Sequence, residues 1–336
     1  MTTDVKSRGP VDAHVHVVGN GLNGSGCWLR LSGWNRVLAR MMLRELGLPP
    51  DALHGDLERH YADRLIQYVR SSSLTAVVIL AHEQVYDAAG KLLPQLGSMY
   101  IPNDYVLDLA ARYPNELLPA VSIHPARPDA LDELARTVEQ GAVMMKCLPN
   151  CQNIDCSNPR YKRFWQAMSD YGLPLLAHTG GELTVQVVER KYEDPKLLRS
   201  VLDCGVTVIA AHVASRSYPL GIDYFPDFCR MCEQYPNLYG DNSALNSPFR
   251  SAVLPKLMDG VVRDRIIHGS DLPIPISGRY AYLRGMLSRA DWKRWGKTEN
   301  LLERDYQYKR AMGFGEDTFT RIWQLLRIDS EPRQLH

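Results

Sequence analysis

Residues 11–18 read Val-Asp-Ala-His-Val-His-Val-Val, a short apolar run that carries two histidines two positions apart. Seven more short apolar runs follow, and segments with the apolar spacing of amphipathic helices separate most of them. The runs cover residues 11–18, 74–80, 117–123, 142–148, 173–178, 206–212, 238–243 and 265–269. Strands that alternate with helices are typical of repeated βα units in a parallel sheet. Eight such units favour an α/β fold of the closed (β/α)8 TIM-barrel type over an open doubly wound sheet, which usually has fewer strands.

Two segments are longer than the repeating pattern requires. An insertion after the first strand covers residues 19–73 and is predicted to contain helices near 33–46 and 56–71. A C-terminal helical extension from residue 273 onward is predicted to contain helices near 302–312 and 316–326. No low-complexity linker interrupts the chain, so residues 1–336 are predicted to form a single domain with a core over about 11–326.

Composition and charge exclude several classes of protein. The 39 Lys and Arg residues nearly balance the 38 Asp and Glu residues, without the basic excess that binding to phosphate backbones demands. No apolar run approaches the roughly 18 residues of a membrane span, and the first ten residues precede no apolar segment of a signal peptide. Seven cysteines in such a chain argue against a disulfide framework. We therefore expect a cytoplasmic protein that binds a small-molecule substrate and neither nucleic acid nor a membrane.

Histidine and aspartate residues mark the ends of several predicted strands. His14 and His16 lie two residues apart in the first strand, so their side chains point to the same face. His178 ends the fifth run, His212 ends the sixth, and Asp271 follows the eighth. Because the C-terminal ends of the strands meet at one face of a barrel, these distant residues can converge there. Imidazole and carboxylate groups suit zinc and similar divalent ions, so the pattern predicts a metal centre.

A single histidine in a strand is more often a core residue whose ring nitrogens are satisfied by neighbours. Seven of the ten histidines, however, fall in or just after the apolar runs: His14, His16, His82, His124, His178, His212 and His268. A solvated distribution would scatter them over the helices. We therefore predict one or two divalent ions, with zinc expected and manganese or cobalt as alternatives.

The sequence resembles the amidohydrolase superfamily of metal-dependent barrel enzymes, and its amidohydrolase-2 branch most closely. The resemblance rests on the His-x-His of the first strand, on His178 and His212, and on the Gly-Ser-Asp-Leu-Pro motif around Asp271, in the family's order. It covers residues 11 to about 326. It implies that His14, His16 and Asp271 bind one metal ion, and that His178 and His212 bind a second ion or contact the substrate.

Lys146 lies in the fourth apolar run, where the resemblance implies a lysine whose amine is carboxylated in members with two metal ions. Burial disfavours the charged form of a lysine, and the neutral amine is the form that reacts with carbon dioxide. Lys146 is therefore a candidate metal ligand as a carboxylated bridge. The alternative is an unmodified lysine that pairs with a nearby carboxylate.

Further polar residues at strand ends are candidates for binding the substrate: His124, Glu182, Asp241 and Arg279. The alternative for each is a loop cap or a partner that orients a ligand histidine.

The predicted function is that of a metal-dependent hydrolase, in which metal-activated water attacks an amide, ester or lactone of a small molecule. Asp271 and His212 are the predicted catalytic residues: Asp271 transfers the proton, and His212 polarises the substrate oxygen or binds a second ion. One alternative is a metal-dependent decarboxylase or hydratase of the same superfamily that acts on a small carboxylic acid. Another is a barrel that binds metal without turnover. The sizes of the insertion and the extension are compatible with a homodimer.

Overall fold

Eight parallel strands form the centre of the protein in a computed structural model that describes residues 8–49, 51–258 and 260–328. Each strand pairs with the next in chain order. Backbone hydrogen bonds from Ala13 N to His268 O (2.9 Å) and from His16 N to Leu272 O (2.8 Å) join the last strand segment to the first. The predicted (β/α)8 barrel is confirmed. The strands are β1 Val11–His16, β2 Ala76–Leu80, β3 Leu117–Val121, β4 Met144–Cys147, β5 Leu175–Ala177, β6 Val208–Ala210, β7 Leu238–Asp241 and β8 Ile266–Ile267.

All eight predicted runs contain a strand, because a strand covered on both faces needs apolar residues at almost every position. Several strands are shorter than the runs. The sixth run, for example, leaves the strand at Ala210 and continues as a 3₁₀ turn over Ala211–Ala214. His212 in this turn has a φ of 57°. That backbone conformation ends the strand and turns the imidazole towards the other predicted ligands.

Helices surround the barrel, and their amphipathic patterns place apolar side chains against the strands. They are α1 Gly33–Glu45, α2 Leu57–Arg70, α3 Asn103–Arg112, α4 Ala130–Glu139, α5 Pro149–Gln152, α6 Lys162–Asp170, α7 Arg199–Asp203, α8 Phe225–Gln234, α9 Gly260–Arg263, α10 Arg279–Leu283, α11 Arg289–Trp295, α12 Leu301–Ala311 and α13 Glu316–Thr320. The segment 247–259, which patterning suggests is helical, contains a 3₁₀ stretch over Arg250–Met258. Pro255 lies inside it and has no amide hydrogen for a regular α-helix.

The insertion after β1 covers the C-terminal end of the barrel. Its helix α2 begins after Asp56, whose carboxylate accepts a hydrogen bond from Arg59 N at 3.1 Å. The hydroxyl of Tyr61 on α2 donates to His16 O at 2.6 Å, which fixes this helix beside the end of β1. A short antiparallel pair, Trp28–Leu29 with Met99–Tyr100, joins the insertion to the loop after β2. The insertion therefore lies where it can shape a binding site.

The last part of the C-terminal extension, residues 322–326, packs at the opposite end of the barrel. Ile322 and Leu326 join the apolar interior formed by strand residues such as Val11, Met144 and Ile267. Trp323 Nε1 donates to Gly9 O at 2.8 Å, next to the start of β1. None of the helices in the described part of the chain is long and apolar enough to cross a membrane.

Candidate metal centre

Three side chains, two from β1 and one from the segment after β8, meet at the C-terminal face of the barrel. His14 Nε2 lies 3.2 Å from His16 Nε2 and 3.2 Å from Asp271 Oδ1. His16 Nε2 lies 3.3 Å from the same carboxylate oxygen. The histidines come from β1, and the backbone of Asp271 is held next to them because its N donates to His14 O at 2.8 Å. The pairing of the first and last strands thus creates the cluster.

The spacing of these three atoms fits a divalent ion. Nitrogen and oxygen ligands lie about 2.0–2.2 Å from zinc in tetrahedral sites, which places neighbouring ligand atoms about 3.3 Å apart. The three distances in the cluster agree with this value. Two imidazoles and one carboxylate also leave a coordination position for a water or a substrate atom, as catalytic sites require.

Asp241 at the end of β7 orients His14. Its Oδ2 lies 2.7 Å from His14 Nδ1, so that this nitrogen carries the hydrogen and Nε2 presents a lone pair to the cluster. Burial, together with the charge of Lys146, lowers the pKa of His14 well below its usual value. His14 is therefore held in the neutral form that binds a metal ion.

The other oxygen of Asp241 fixes the backbone after β6. Asp241 Oδ1 accepts a hydrogen bond from His212 N at 2.7 Å, and the residues after His212 also have positive φ: Val213 at 47° and Ala214 at 54°. A β-branched residue rarely adopts this conformation, and strained backbone of this kind clusters at functional sites. Asp241 thus couples the positions of His14 and His212.

His212 also faces the cluster. Its Nε2 lies 4.0 Å from Asp271 Oδ2, while its Nδ1 lies 2.8 Å from Ser243 Oγ. Burial, with the charge of Arg250, lowers the pKa of His212 well below its usual value. The side chain therefore presents a neutral imidazole to the second oxygen of Asp271.

A second group of metal-ligand type, His14 with His212 and Asp241, is fully buried. Its donor atoms already bond to one another or to Ser243, through His14 Nδ1, Asp241 Oδ2 and Ser243 Oγ. We interpret it as the hydrogen-bond network behind the ligands. Among the residues that the structure describes, the group of His14, His16 and Asp271 is then the one suited to an ion.

Lys146 lies on β4 beneath this cluster and is fully buried. Its Nζ lies 3.0 Å from His14 Nε2, and no carboxylate oxygen of a described residue lies within 4.0 Å of it. Burial lowers the pKa of the amine. No described carboxylate therefore pairs directly with Lys146, and burial shifts its amine towards the neutral form that carboxylation requires.

His178 and Glu182 lie on the loop side of the centre. His178 Nε2 is 3.6 Å from Glu182 Oε2, and the His178 ring lies 5.0 Å from the His212 ring. Burial lowers the pKa of His178 to about 3. Glu182 Oε1 accepts hydrogen bonds from the N and Oγ1 of Thr184. Although burial opposes it, the nearby His178 and these hydrogen bonds lower the pKa of Glu182 to about 2.

A cleft of about 780 Å³ opens above the cluster, and His16, His178, Glu182, His212 and Asp271 line its floor. Its walls are mostly apolar. They are formed by the insertion, the loop at residues 184–185 and the segment after β8, through Val18, Leu29, Leu31, Leu38, Ala39, Met42, Met99, Leu148, Val185, Pro273 and Ile274. The centre is thus accessible to a small molecule with apolar surface.

Three of the four predicted substrate-binding residues do not line this cleft. Asp241 is fully buried behind His14, as the alternative interpretation of a ligand partner describes. His124 is fully buried, and its Nδ1 accepts a hydrogen bond from Ala126 N at 3.1 Å. Arg279 is exposed at the start of α10. Glu182 alone of the four lies at the cleft, because the other three side chains point into the core or out to solvent, and substrate contact by any of them stays a prediction.

Sequence patterns also missed residues at the site. Arg250 is buried and lines an adjoining polar pocket together with Ser217, Ser247, Glu182 and His212. The signal was present: Arg250 is a single charged residue in the otherwise mostly apolar stretch 248–255. A lone arginine in such a stretch lacks an obvious counterion, which is itself unusual.

A family model for amidohydrolases matches residues 11–291 of the chain, which includes every residue of the cluster. The chain belongs to the amidohydrolase-2 family. Members of this family are enzymes that usually depend on metal ions. A search of curated protein sequences found no match.

Solved structures similar to this amidohydrolase-2 member share its fold at low sequence identity. An uncharacterised TIM-barrel protein of Bordetella bronchiseptica has a TM-score of 0.57 and 16% identity, over 90% of this chain and 97% of its own. The 5-carboxyvanillate decarboxylase of Sphingomonas paucimobilis has a TM-score of 0.55 and 13% identity, over 95% and 100%. A putative 2-pyrone-4,6-dicarboxylic acid hydrolase of Pseudomonas putida has a TM-score of 0.53 and 14% identity, over 94% and 98%. These similarities establish the barrel fold.

Replacing Asp241 by Asn should weaken metal binding by about 10–100-fold, the usual cost of losing a partner that orients a ligand histidine. The amide no longer carries the charge that keeps the hydrogen on His14 Nδ1. Zinc affinity measured by competition with a chelating dye checks this, with Asp108→Asn on the exposed face of α3 as the control. An affinity equal to that of the wild type, in a variant with an unchanged melting temperature, would show that Asp241 does not act through His14.

Proposed function

We propose that this amidohydrolase-2 protein is a metal-dependent hydrolase of an amide, ester or lactone in a small molecule. The observation that carries the proposal is the position of Asp271. One carboxylate oxygen lies 3.2 Å and 3.3 Å from the two histidine nitrogens, and the other faces His212 at 4.0 Å. A carboxylate divided in this way can hold an ion with one oxygen and exchange a proton with the other.

The remaining residues have complementary roles in the proposed reaction. When bound at His14, His16 and Asp271, a divalent ion lowers the pKa of water from about 15.7 to about 7 and polarises a carbonyl group. Asp271 accepts the proton of the attacking water and delivers it to the leaving group. His212, a neutral imidazole beside Asp271, contacts the substrate oxygen. The apolar walls of the cleft reduce the access of bulk water, which strengthens these electrostatic contacts.

His178 is proposed as a substrate contact or as a ligand of a second ion, because it lies beside His212 and at the floor of the cleft. Glu182 in turn positions His178. Lys146 is proposed as the bridging ligand if it is carboxylated. Zinc is the ion proposed for the centre, and manganese or cobalt would suit the same nitrogen and oxygen donors.

A decarboxylase acting on a small carboxylic acid is the second candidate. One observation favours it: apart from the buried, hydrogen-bonded group of His14, His212 and Asp241, the described residues contain one three-residue group suited to an ion, and Lys146 Nζ lies 3.0 Å from His14 Nε2 of that group. This arrangement supports a site with one ion and an unmodified lysine, which favours decarboxylation over a hydrolysis that uses two ions and a carboxylated lysine. Similar folds carry both names, a hydrolase and a decarboxylase.

Removing divalent ions should abolish activity, and zinc, manganese or cobalt should restore it. The test uses panels of esters, lactones and amides on one side and hydroxylated aromatic acids on the other. Product analysis separates the reactions, because decarboxylation releases carbon dioxide and hydrolysis consumes water. Turnover of an ester, lactone or amide supports the hydrolase. Carbon dioxide release without any hydrolysis would favour the second candidate, and activity that survives complete removal of metal, verified by elemental analysis, would contradict both.

A further inference from the structure

The polar pocket around Arg250 adjoins the metal centre. Glu182, Thr184, His212, Asp271 and Ile274 line both this pocket and the apolar cleft, so the two form one continuous binding region. The polar part has a volume of about 460 Å³. A ligand at the metal centre would therefore have apolar walls on one side and the Arg250 pocket on the other.

Arg250 carries a buried charge without a carboxylate counterion. Its side chain is 6% exposed, and no carboxylate oxygen of a described residue lies within 4.0 Å of the guanidinium. The guanidinium donates to two backbone carbonyl oxygens, Ser215 O at 3.0 Å and Gly181 O at 2.6 Å, and makes a long contact with Ser215 Oγ at 3.5 Å. Since a guanidinium has five N–H donors, capacity remains for an acceptor in the pocket. Buried charges are normally paired, so this one lacks its expected partner.

Ser217 gives a second and independent sign of a missing ligand. Its hydroxyl is buried at the same pocket and has no hydrogen-bond partner in the described part of the chain. A buried polar group without a partner costs free energy unless something else completes its hydrogen bonds. An anionic oxygen placed between Ser217 and Arg250 would satisfy both groups.

Glu182 does not fill this role although it lines the pocket. One of its oxygens accepts hydrogen bonds from Thr184, and the other faces His178 at 3.6 Å. The carboxylate is therefore engaged on the His178 side, and the Arg250 side is left for a ligand.

We propose that the substrate is an amphipathic carboxylic acid whose non-reacting carboxylate binds Arg250 and Ser217. Its apolar part packs against the cleft walls from the insertion, including Leu29, Leu38 and Met42. The reacting group lies between these parts, beside His212 and Asp271. The proposal rests on the proposed function for the location of the chemistry, but the recognition of the carboxylate holds for either reaction.

The test compares 4-phenylbutyrate with its neutral amide, 4-phenylbutyramide, and with butyrate, which lacks the ring. We expect the acid to bind the wild type at least about tenfold more tightly than the amide, the scale of a charge-assisted hydrogen bond. Butyrate should bind more weakly than 4-phenylbutyrate because it leaves the apolar walls uncovered. Calorimetry on metal-loaded and on metal-depleted protein should give the same preference for the acid, since the anion site is separate from the ion.

The deciding variant is Arg250→Met, with Arg279→Met on the exposed surface as its matched control. Arg250→Met should reduce the affinity for the acid to that for the amide and leave the amide affinity unchanged. Arg279→Met should change neither. If Arg250 only holds the Gly181 and Ser215 backbones, Arg250→Met should instead weaken the binding of the acid and of the amide equally.

Two further variants keep the proposal falsifiable if Arg250→Met does not fold. Arg250→Lys should retain part of the preference for the acid. Ser217→Ala should reduce the affinity for the acid without changing the affinity for the amide. Equal affinities for the acid and the amide in the wild type would overturn the proposal. So would a preference that disappears when the metal is removed, because the carboxylate would then be bound at the metal centre. Neither result depends on hydrolysis, so the failure of this proposal is distinguishable from the failure of the proposed function.

Discussion

Asp271→Asn should lower kcat/KM by about 10²–10⁴-fold, the usual contribution of a general acid or base, while metal content falls far less. The amide keeps an oxygen that can replace Oδ1 near His14 and His16. It cannot replace Oδ2 as a proton acceptor beside His212. The loss therefore falls on proton transfer and not on binding.

The pH dependence provides a separate measurement. If Asp271 accepts the proton of the attacking water, the acidic limb of the kcat/KM profile should shift or disappear in Asp271→Asn. Asp132→Asn on the exposed face of α4 is the control and should leave both activity and profile unchanged. Wild-type turnover in Asp271→Asn would remove Asp271 from catalysis, and a parallel loss of metal and activity would leave it as a ligand alone.

Replacing His14 and His16 together by Ala should remove the bound metal and all metal-dependent activity while the barrel still folds. Two of the three ligands in the cluster are lost. Their side chains lie at the C-terminal face, whereas the barrel interior is filled by apolar residues such as Ala13, Val78 and Ile209. Active-site residues at this face contribute little to the packed core.

Elemental analysis and circular dichroism of the purified double variant test both parts of this expectation. The control variant replaces His54 and His60, two histidines of the insertion, by Ala. This control should keep the bound metal. Stoichiometric metal in the His14 and His16 variant would place the ion elsewhere. Loss of the barrel signal together with the metal would show that the ion, and not the apolar core, stabilises the fold.

The insertion after β1 links the fold to the choice of substrate. Helix α1 contributes Asn35, Leu38, Ala39 and Met42 to the cleft, and Asn35 Nδ2 donates to Thr184 O at 3.4 Å across it. Barrel enzymes change specificity through such loops and insertions while the strands keep the catalytic groups in place. Substitutions in α1 should therefore change which apolar groups of a ligand the cleft accepts, without changing the metal centre.

The strand pattern was predictable because it depends on local and repetitive chemistry. Each barrel strand is covered on both faces, so each appears as an apolar run with helical patterns on either side. The His-x-His spacing in β1 was equally readable, since alternate residues of a strand share a face. The helix predicted near residues 56–71 begins after its capping residue Asp56, whereas Pro255 turns the segment around it into a 3₁₀ stretch.

The functions of the loop residues were not predictable in the same way. Asp241 ends a strand, His124 follows one, and both carry suitable chemistry, yet Asp241 bonds to His14 Nδ1 and His124 is buried beside Ala126. Arg279 follows Asp271 by eight residues and points to solvent. Side-chain direction in a loop depends on backbone angles that no periodic pattern encodes.

The sequence by itself determined the barrel and the order of its strands, and it predicted the three residues of the candidate metal cluster, because apolar periodicity and strand spacing are properties of neighbouring residues. Only the tertiary structure decided that Asp241 orients His14 and that α1 forms a wall of the cleft. It also decided that Arg250, without a carboxylate partner, and Ser217, without a hydrogen-bond partner in the described part of the chain, line a pocket beside the candidate metal centre. These relations join residues from different strands and loops. They arise from closure of the barrel, which brings together side chains that no local pattern connects.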